Sequence, residues 1–300
     1  ALLVLVLLGA IVLSYRQIIH AYPSGGGAYA VASENWGPKA GLIAGGSLLV
    51  DYMLTVAVSA SAAADAIIAA VPALLPFTVA LSILIVVVLT GMNLRGLRES
   101  ANFLMFPVYF FVVVLTAMIV YGIFQAITGQ IPYHAVAKVG TSFSGLSLIL
   151  FMRAFSSGSS SLTGVEAISN AVPNFKVPKE RHAASTLAMM AFILAIFFAG
   201  ITFLSYWYGI VPNKQSTVLS QIAAMTFHGY NIGFYVIQMA TALILAVAAN
   251  TGFSAFPMLA LNLAKDKYMP HLYMDRGDRL GYSNGILSLS FGAVVLLVIF

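Results

Sequence analysis

Long apolar runs alternate with short polar segments along this chain. A helix needs about 20 apolar residues to cross the hydrocarbon core of a bilayer, and each interior run is about that long or longer. The pattern therefore predicts an all-α membrane protein with eight membrane segments, of which the runs 144–172 and 229–263 are expected to be tilted or interrupted. The runs lie at roughly 1–13, 41–70, 76–94, 101–127, 144–172, 183–210, 229–263 and 283–300.

One of these runs, 144–172, is predicted to be broken in its middle. The segment SFSGLSLILFMRAFSSGSSSLTGVEAISN (142–170) is apolar at its start but rich in serine and glycine at its centre. Serine hydroxyls compete for the hydrogen bonds of a helix, and non-helical backbone at membrane depth occurs only where it lines a cavity or a water-filled path. Unwinding would leave carbonyls free for a cation and helical amides free for an anion.

Composition and charge narrow the class of protein. Hydrophobic residues make up 61% of the chain and charged residues 8%, with a mean hydropathy of +0.97, whereas soluble domains are about 25% charged. The absence of cysteine excludes disulfides and thiolate metal sites.

The net charge of +5 indicates topology, not nucleic-acid binding. Eleven Lys and Arg residues lie in alternate polar segments and only two in the intervening ones. This positive-inside bias predicts that segments 14–40, 95–100, 173–182 and 264–282 are cytoplasmic.

Two further segments have distinctive composition. Segment 15–41, with Pro23 and three consecutive glycines, predicts a cytoplasmic turn followed by a short interfacial helix. Segment 248–257, AANTGFSAFP, combines small residues, polar residues and a proline. It predicts either close helix packing alone or backbone carbonyls freed by the proline.

Four charged residues lie inside apolar runs, where each costs about 2.5–3.5 kcal/mol and is a candidate functional group. Asp51 is followed by Tyr52, and Thr55 lies one turn further on the same face. These oxygens suit a hard cation, although Asp51 could instead be a structural hydrogen-bond partner. Asp65 falls within about 40° of Asp51 around the helix and is either a pathway residue or a solvated one. The four are Asp51, Asp65, Arg153 and Glu166.

The remaining candidates lie in the broken run. Thr163 and Glu166 form an i, i+3 pair at the start of its second half, where Glu166 is either a site acid or a helix cap. Ser159, in the break, is a secondary candidate for the pathway. Arg153 is a further secondary candidate for the pathway, and it is expected to form an internal ion pair with Glu166 or an aspartate.

The motifs of these segments resemble a known superfamily. YPSGGGAYAVASENWGP at 22–38 and SLTGVEAISNAVPNFKVPKE at 161–180 resemble the amino acid–polyamine–organocation (APC) permeases, over nearly all of the chain. More narrowly, VDYMLT at 50–55 with SSLTGVEAISN at 160–170 resembles the bacterial potassium importers of the KimA type, related to the Kup permeases. The resemblance implies a LeuT-like inverted-repeat fold with broken first and sixth helices. Residues 1–300 would be helices 2–9 of an expected twelve, one transmembrane transporter domain within a longer protein.

The resemblance also implies an activity and its residues. It implies a multi-pass protein of the bacterial plasma membrane that imports potassium, in symport with protons, by alternating access. Glu166 is in addition a candidate proton-coupling or gating acid, because burial disfavours the ionised form of a carboxyl group. The implied potassium ligands are Asp51, Tyr52, Thr55, Thr163 and Glu166.

The expected partners follow from the same resemblance. They are the potassium ion, the lipid bilayer, a second copy in a homodimer, and cyclic di-AMP bound by a cytoplasmic domain outside this sequence. No cofactor is expected beyond the transported ions.

Two other function classes remain open at this stage. An amino-acid permease of the same superfamily would bind a zwitterion through glycine-rich amides of the first broken helix, which lies outside this sequence. A membrane enzyme or sensor is disfavoured, because the five histidines lie in loops or at ends of runs and no Ser/His/acid set shares one depth. We therefore expect a transporter and not an enzyme.

Overall fold

The computed structural model describes most of the chain and shows it to be helical. Within the described residues there are nine α-helices and no β-strand: α1 (Leu2–Ala21), α2 (Gly27–Trp36), α3 (Pro38–Ala70), α4 (Thr78–Leu94), α5 (Ala101–Ile127), α6 (Lys179–Trp207), α7 (Val218–Thr226), α8 (Ile232–Lys265) and α9 (Ser283–Ile299). The described residues are 2–22, 27–95, 101–134, 148, 151–152, 155, 168–169, 172, 175–211, 216–275 and 282–299.

Seven of the eight predicted membrane segments coincide with these helices. Six stretches of the described chain are long and apolar enough to cross a membrane: α1, α3, Pro72–Leu94, Met105–Ile127, α6 and α8. Helix α9 is apolar but shorter, at 17 residues. The predicted all-α, multi-pass architecture is thus confirmed where the chain is described. The predicted break lies outside the described residues, and so does most of the run 144–172 that contains it.

Two details differ from the sequence-based expectation. The run 229–263 is not interrupted. It forms one continuous helix of 34 residues, α8, with Pro257 inside it. A proline removes one backbone donor, which a membrane helix tolerates when neighbouring helices pack around it. The predicted outer loop 211–228 also contains a helix, α7, whose first turn is capped by the Thr217 hydroxyl accepting from the Ser220 amide at 3.1 Å.

The chain divides into two compact units. Unit 1 comprises Ala1–Gly41 and Tyr121–Val211, and unit 2 comprises Leu42–Val120 and Pro212–Phe300. In unit 1, α1 packs along α6: Val4 and Leu8 share one buried cluster with Ala191, and Ile19 shares another with Ala183 and Leu187. The two helices run antiparallel, so the end of α1 lies beside the beginning of α6.

Aromatic residues gather at the opposite end of α6. The Tyr133 ring lies 5.6 Å from the rings of both Tyr206 and Trp207, and the Trp207 indole donates to the Ile131 carbonyl at 3.2 Å. The hydrogen bond with Tyr206 raises the pKa of Tyr133. Tyrosine and tryptophan are enriched at the water–membrane interface, which is the location predicted for this end of the helix.

Unit 2 has its core where α3, α4, α8 and α9 meet. The buried cluster there joins Val56 and Ala60 of α3 with side chains from the other three helices, including Val86, Phe253 and Leu289. Phe253 and Leu289 are almost fully buried. This core holds the middle of α3, which carries the first group of predicted site residues.

Candidate functional site

Helix α3 carries three predicted site residues near its middle. Asp51 stands about 20 Å from the start of the helix and about 29 Å from its end, at 1.5 Å per residue. Asp51, Tyr52 and Thr55 are all half-buried. Tyr52 packs against the buried cluster of unit 2, whereas Asp51 and Thr55 share a face one helical turn apart.

The Asp51 carboxylate has no protein partner in the described part of the chain. No described residue donates a hydrogen bond to it or forms an ion pair with it. The alternative in which Asp51 serves a neighbouring helix as a structural acceptor therefore gains no support from these residues. A carboxylate at this depth is costly unless a cation or a donor compensates it.

Asp65 lies on an accessible strip of α3. Its side chain is exposed, and so are Leu54 and Val58, at 42% and 64%, which lie close to the same helical azimuth. The strip adjoins the face of Asp51 and Thr55. Asp65 is therefore accessible, as both a pathway residue and a solvated residue would be. Its role stays a prediction.

The other predicted site residues fall outside the described part of the chain. These are Arg153, Ser159, Thr163 and Glu166. Their place in the site remains a prediction. In addition, no group of three or more His, Asp or Glu side chains among the described residues could hold a metal ion.

Glycines hold α3 tightly against two other helices. A Cβ atom added to Gly252 of α8 would lie 2.5 Å from Cγ2 of Val56, and one added to Gly292 of α9 would lie 2.5 Å from Sδ of Met53. Both contacts fall within one turn of Tyr52. The close-packing interpretation of segment 248–257 is therefore supported at Gly252.

Hydrogen bonds between side chains join α4 to α8 and α9 inside the apolar core. The Asn93 amide donates to Oδ1 of Asn250 at 2.7 Å, and the hydroxyls of Thr90 and Ser290 are 2.7 Å apart. The sequence pattern does not identify these pairs as partners. The detectable signal was the presence of two asparagines inside apolar runs, because such amides require a partner in lipid.

We expect the Asn93–Asn250 bond to be measurable as a coupling energy. Interhelical hydrogen bonds in membrane proteins contribute on average about 0.6 kcal/mol and at most about 1.7 kcal/mol. A double-mutant cycle with Asn93→Ala and Asn250→Ala, read from unfolding in detergent, should give a coupling in this range. A coupling near zero would contradict the assigned bond, and the Thr90–Ser290 pair provides a comparison in the same core.

A separate cavity of about 450 Å³ lies in unit 2, at the end predicted to face outward. It is mostly apolar, and two of its polar side chains are hydrogen-bonded: the Ser220 hydroxyl accepts from the Gln238 side-chain amide at 2.6 Å, and the Gln221 side-chain amide donates to the Ser216 carbonyl at 3.2 Å. The Asp51, Tyr52 and Thr55 side chains do not line it. Its lining comprises Ile68, Ala69, Pro72, Leu75, Ser216, Ser220, Gln221, Ala224, Tyr230 and Phe234.

Comparison with known proteins is consistent with this architecture. The model of the amino acid permease family matches residues 1–300. The chain is 60% identical over 299 residues to the potassium transporter KimA of Bacillus subtilis (strain 168), covering 99% of this chain and 49% of that protein. It is 26% identical over 305 residues to the low-affinity putrescine importer PlaP of Escherichia coli (strain K12), covering 96% of this chain and 63% of that protein.

These relatives are longer than the chain, which spans about half of the first and less than two thirds of the second. Both are transport proteins by name. The family match extends over every described helix and over the segments that carry the predicted site. The chain is therefore a multi-pass bacterial membrane protein that belongs to the amino acid permease family of the APC superfamily.

Proposed function

We propose that the protein containing this chain is a secondary active transporter that imports potassium, in symport with protons. The observation that carries this proposal is the 60% identity, over 299 residues, to a protein named as a potassium transporter. The potassium ion is accordingly the proposed transported partner.

The α3 turn offers chemistry that suits this ion. Potassium exchanges its hydration shell for protein oxygens, and Asp51, Tyr52 and Thr55 supply a carboxylate, a phenol and a hydroxyl. The Asp51 charge compensates that of the cation. One helical turn cannot supply a full coordination shell, so we propose that Thr163 and Glu166 supply further oxygens.

Proton coupling and alternating access belong to the same proposal. Glu166 is the proposed proton-coupling acid, because a carboxyl group removed from water binds a proton more readily. Alternating access in transporters proceeds largely by rocking or gating of one repeat or bundle against another. A homodimer and a cyclic di-AMP-binding domain are predictions from the resemblance alone.

A second candidate is the import of an organic amine or amino acid. The matching family model is that of amino acid permeases, and one relative is named as a putrescine importer. An ammonium group could pair with Asp51 as a potassium ion does. The two candidates differ in the solute that should compete with rubidium uptake: potassium for the first, and putrescine or an amino acid for the second.

Uptake by the full-length protein in proteoliposomes tests these proposals together. We expect rubidium, a tracer for potassium, to accumulate, to be competed by potassium and not by putrescine or amino acids, and to be accelerated by an inward proton gradient. Liposomes without protein provide the control. Competition by putrescine or an amino acid with no effect of potassium would support the second candidate, and insensitivity to the proton gradient would contradict symport.

A further inference from the structure

Basic side chains concentrate at the predicted cytoplasmic end of unit 1. Because Ile19 near the end of α1 shares a buried cluster with Ala183 in the second turn of α6, the end of α1 lies beside the segment that leads into α6. The Nδ1 atom of His182 lies 2.9 Å from the Lys176 carbonyl, so this segment is held at the helix start. We call Arg16, Lys176, Lys179 and Arg181 the inner basic cluster.

The inner basic cluster is accessible and carries excess positive charge. Arg16, Lys176 and Arg181 are exposed and Lys179 is half-buried. Glu180 lies within the cluster, yet among the described residues no ion pair joins it to any of the four basic side chains. The cluster therefore presents unneutralised positive charge to the surface of the membrane.

Helix α2 adds an interfacial flank to this end of unit 1. The Asn35 side chain donates to the Tyr22 hydroxyl at 2.7 Å, which ties α2 to the end of α1. Trp36 is 84% exposed, and exposed tryptophans are typical of the level of the lipid headgroups. Lys39, at the start of α3, adds a positive charge to this flank, and Glu34 of α2 adds a negative one.

An apolar strip continues from the cluster along α6. Ala188 and Phe192 each lie within about 20° of Arg181 around the helix axis, so the three share one face. All three side chains are exposed, Phe192 to 66%. Phe192 stands about 16 Å deeper than Arg181 along the axis. A ligand with an anionic head and long apolar chains would match both parts of this surface.

We propose that the inner basic cluster binds the headgroup of an anionic phospholipid of the inner leaflet, whose acyl chains lie along the strip of α6 that ends at Phe192. Clusters of Lys and Arg next to the ends of membrane helices attract anionic lipids. The apolar strip distinguishes a lipid from a soluble anion, which would use the charge alone. This site is independent of the residues proposed for potassium.

The inner end of unit 2 provides a matched comparison. Lys265 and Lys267 also lie at a predicted cytoplasmic helix end, but Asp266 stands between them. Removing these two charges changes the positive-inside bias as much as removing two charges from the inner basic cluster. The pair Lys265→Gln with Lys267→Gln is therefore the control for a general loss of charge.

Native mass spectrometry of the full-length protein can measure the preference for phosphatidylglycerol over phosphatidylcholine. We expect Lys176→Gln with Arg181→Gln to reduce this preference about thirtyfold, the factor for two basic contacts with an anionic headgroup. The control pair should keep the preference within about threefold. The charge-conserving pair Lys176→Arg with Arg181→Lys should keep this lipid preference as well. It distinguishes an effect of lost charge from an effect of misfolding.

Three outcomes would overturn the proposal. The first is a wild-type protein without a preference for the anionic lipid. The second is an equal loss in the two charge-removing pairs, which would make the effect a general one of net charge. The third is displacement of the lipid by glycerol 3-phosphate at equal concentration, which would identify the surface as a site for soluble anions.

Discussion

Replacement of Asp51 by asparagine is expected to reduce rubidium uptake at least about thirtyfold. Asparagine preserves the shape of the side chain but removes the charge that compensates the cation. Loss of one partner of a buried charge pair costs about 2–5 kcal/mol, and 1.4 kcal/mol corresponds to a factor of ten. Uptake by cells that lack their own potassium importers, expressing the full-length variant, measures the effect.

The matched control for this variant is Asp275→Asn. Asp275 is an exposed aspartate outside the membrane helices, so the same chemical change there should leave uptake unaltered. Elution of both variants as monodisperse protein would show that the fold is retained. Undiminished uptake by Asp51→Asn would remove Asp51 from the site, while a selective loss would place its charge on the transport path.

Replacement of Gly252 by valine is expected to destabilise the protein by about 3 kcal/mol or more. A Cβ atom at this position would meet the stiff Val56 side chain at 2.5 Å and the Tyr52 carbonyl oxygen at 3.4 Å. Overpacking of a well-packed core typically costs about 1–3 kcal/mol, and occasionally more. The melting temperature in detergent should fall clearly, and size-exclusion chromatography after heating measures it.

Two further variants separate packing from helix propensity. Gly46 lies in α3 with no atom within 4 Å of its Cβ position, so Gly46→Val should change stability little. Combining Gly252→Ala with Val56→Ala should recover much of the stability that Gly252→Ala alone loses, because the smaller side chain makes room. Equal melting temperatures for Gly252→Val and Gly46→Val would refute the role of close packing at this crossing.

The candidate site was predictable in part from residue type. A carboxylate within a long apolar run is conspicuous because its cost in lipid is large, and Asp51 and Asp65 were found for that reason. The structure added that Asp51 has no partner among the described residues and that Tyr52 packs on the core of unit 2. The contribution of Thr163 and Glu166 remains a prediction, since both lie outside the described chain.

Some elements could not be predicted from local pattern. Helix α7 has only nine residues and lies in a polar segment, and it is held through buried residues such as Ile222 and Ala223 that pack within unit 2. The continuity of α8 through Pro257 likewise depends on packing. The Cβ position of Gly285 in α9 lies 2.9 Å from Pro257, so the two helices touch where the proline removes a donor.

The sequence alone determined the number and position of most membrane helices, the all-α class and the candidate acids. These properties follow from the transfer of each segment and side chain into lipid, which depends on local composition. Only the tertiary structure decided which helices meet. Asn93 and Asn250 are 157 positions apart, and their contact, like that of Gly252 with Val56, depends on the complementary shapes of helices that no local pattern encodes.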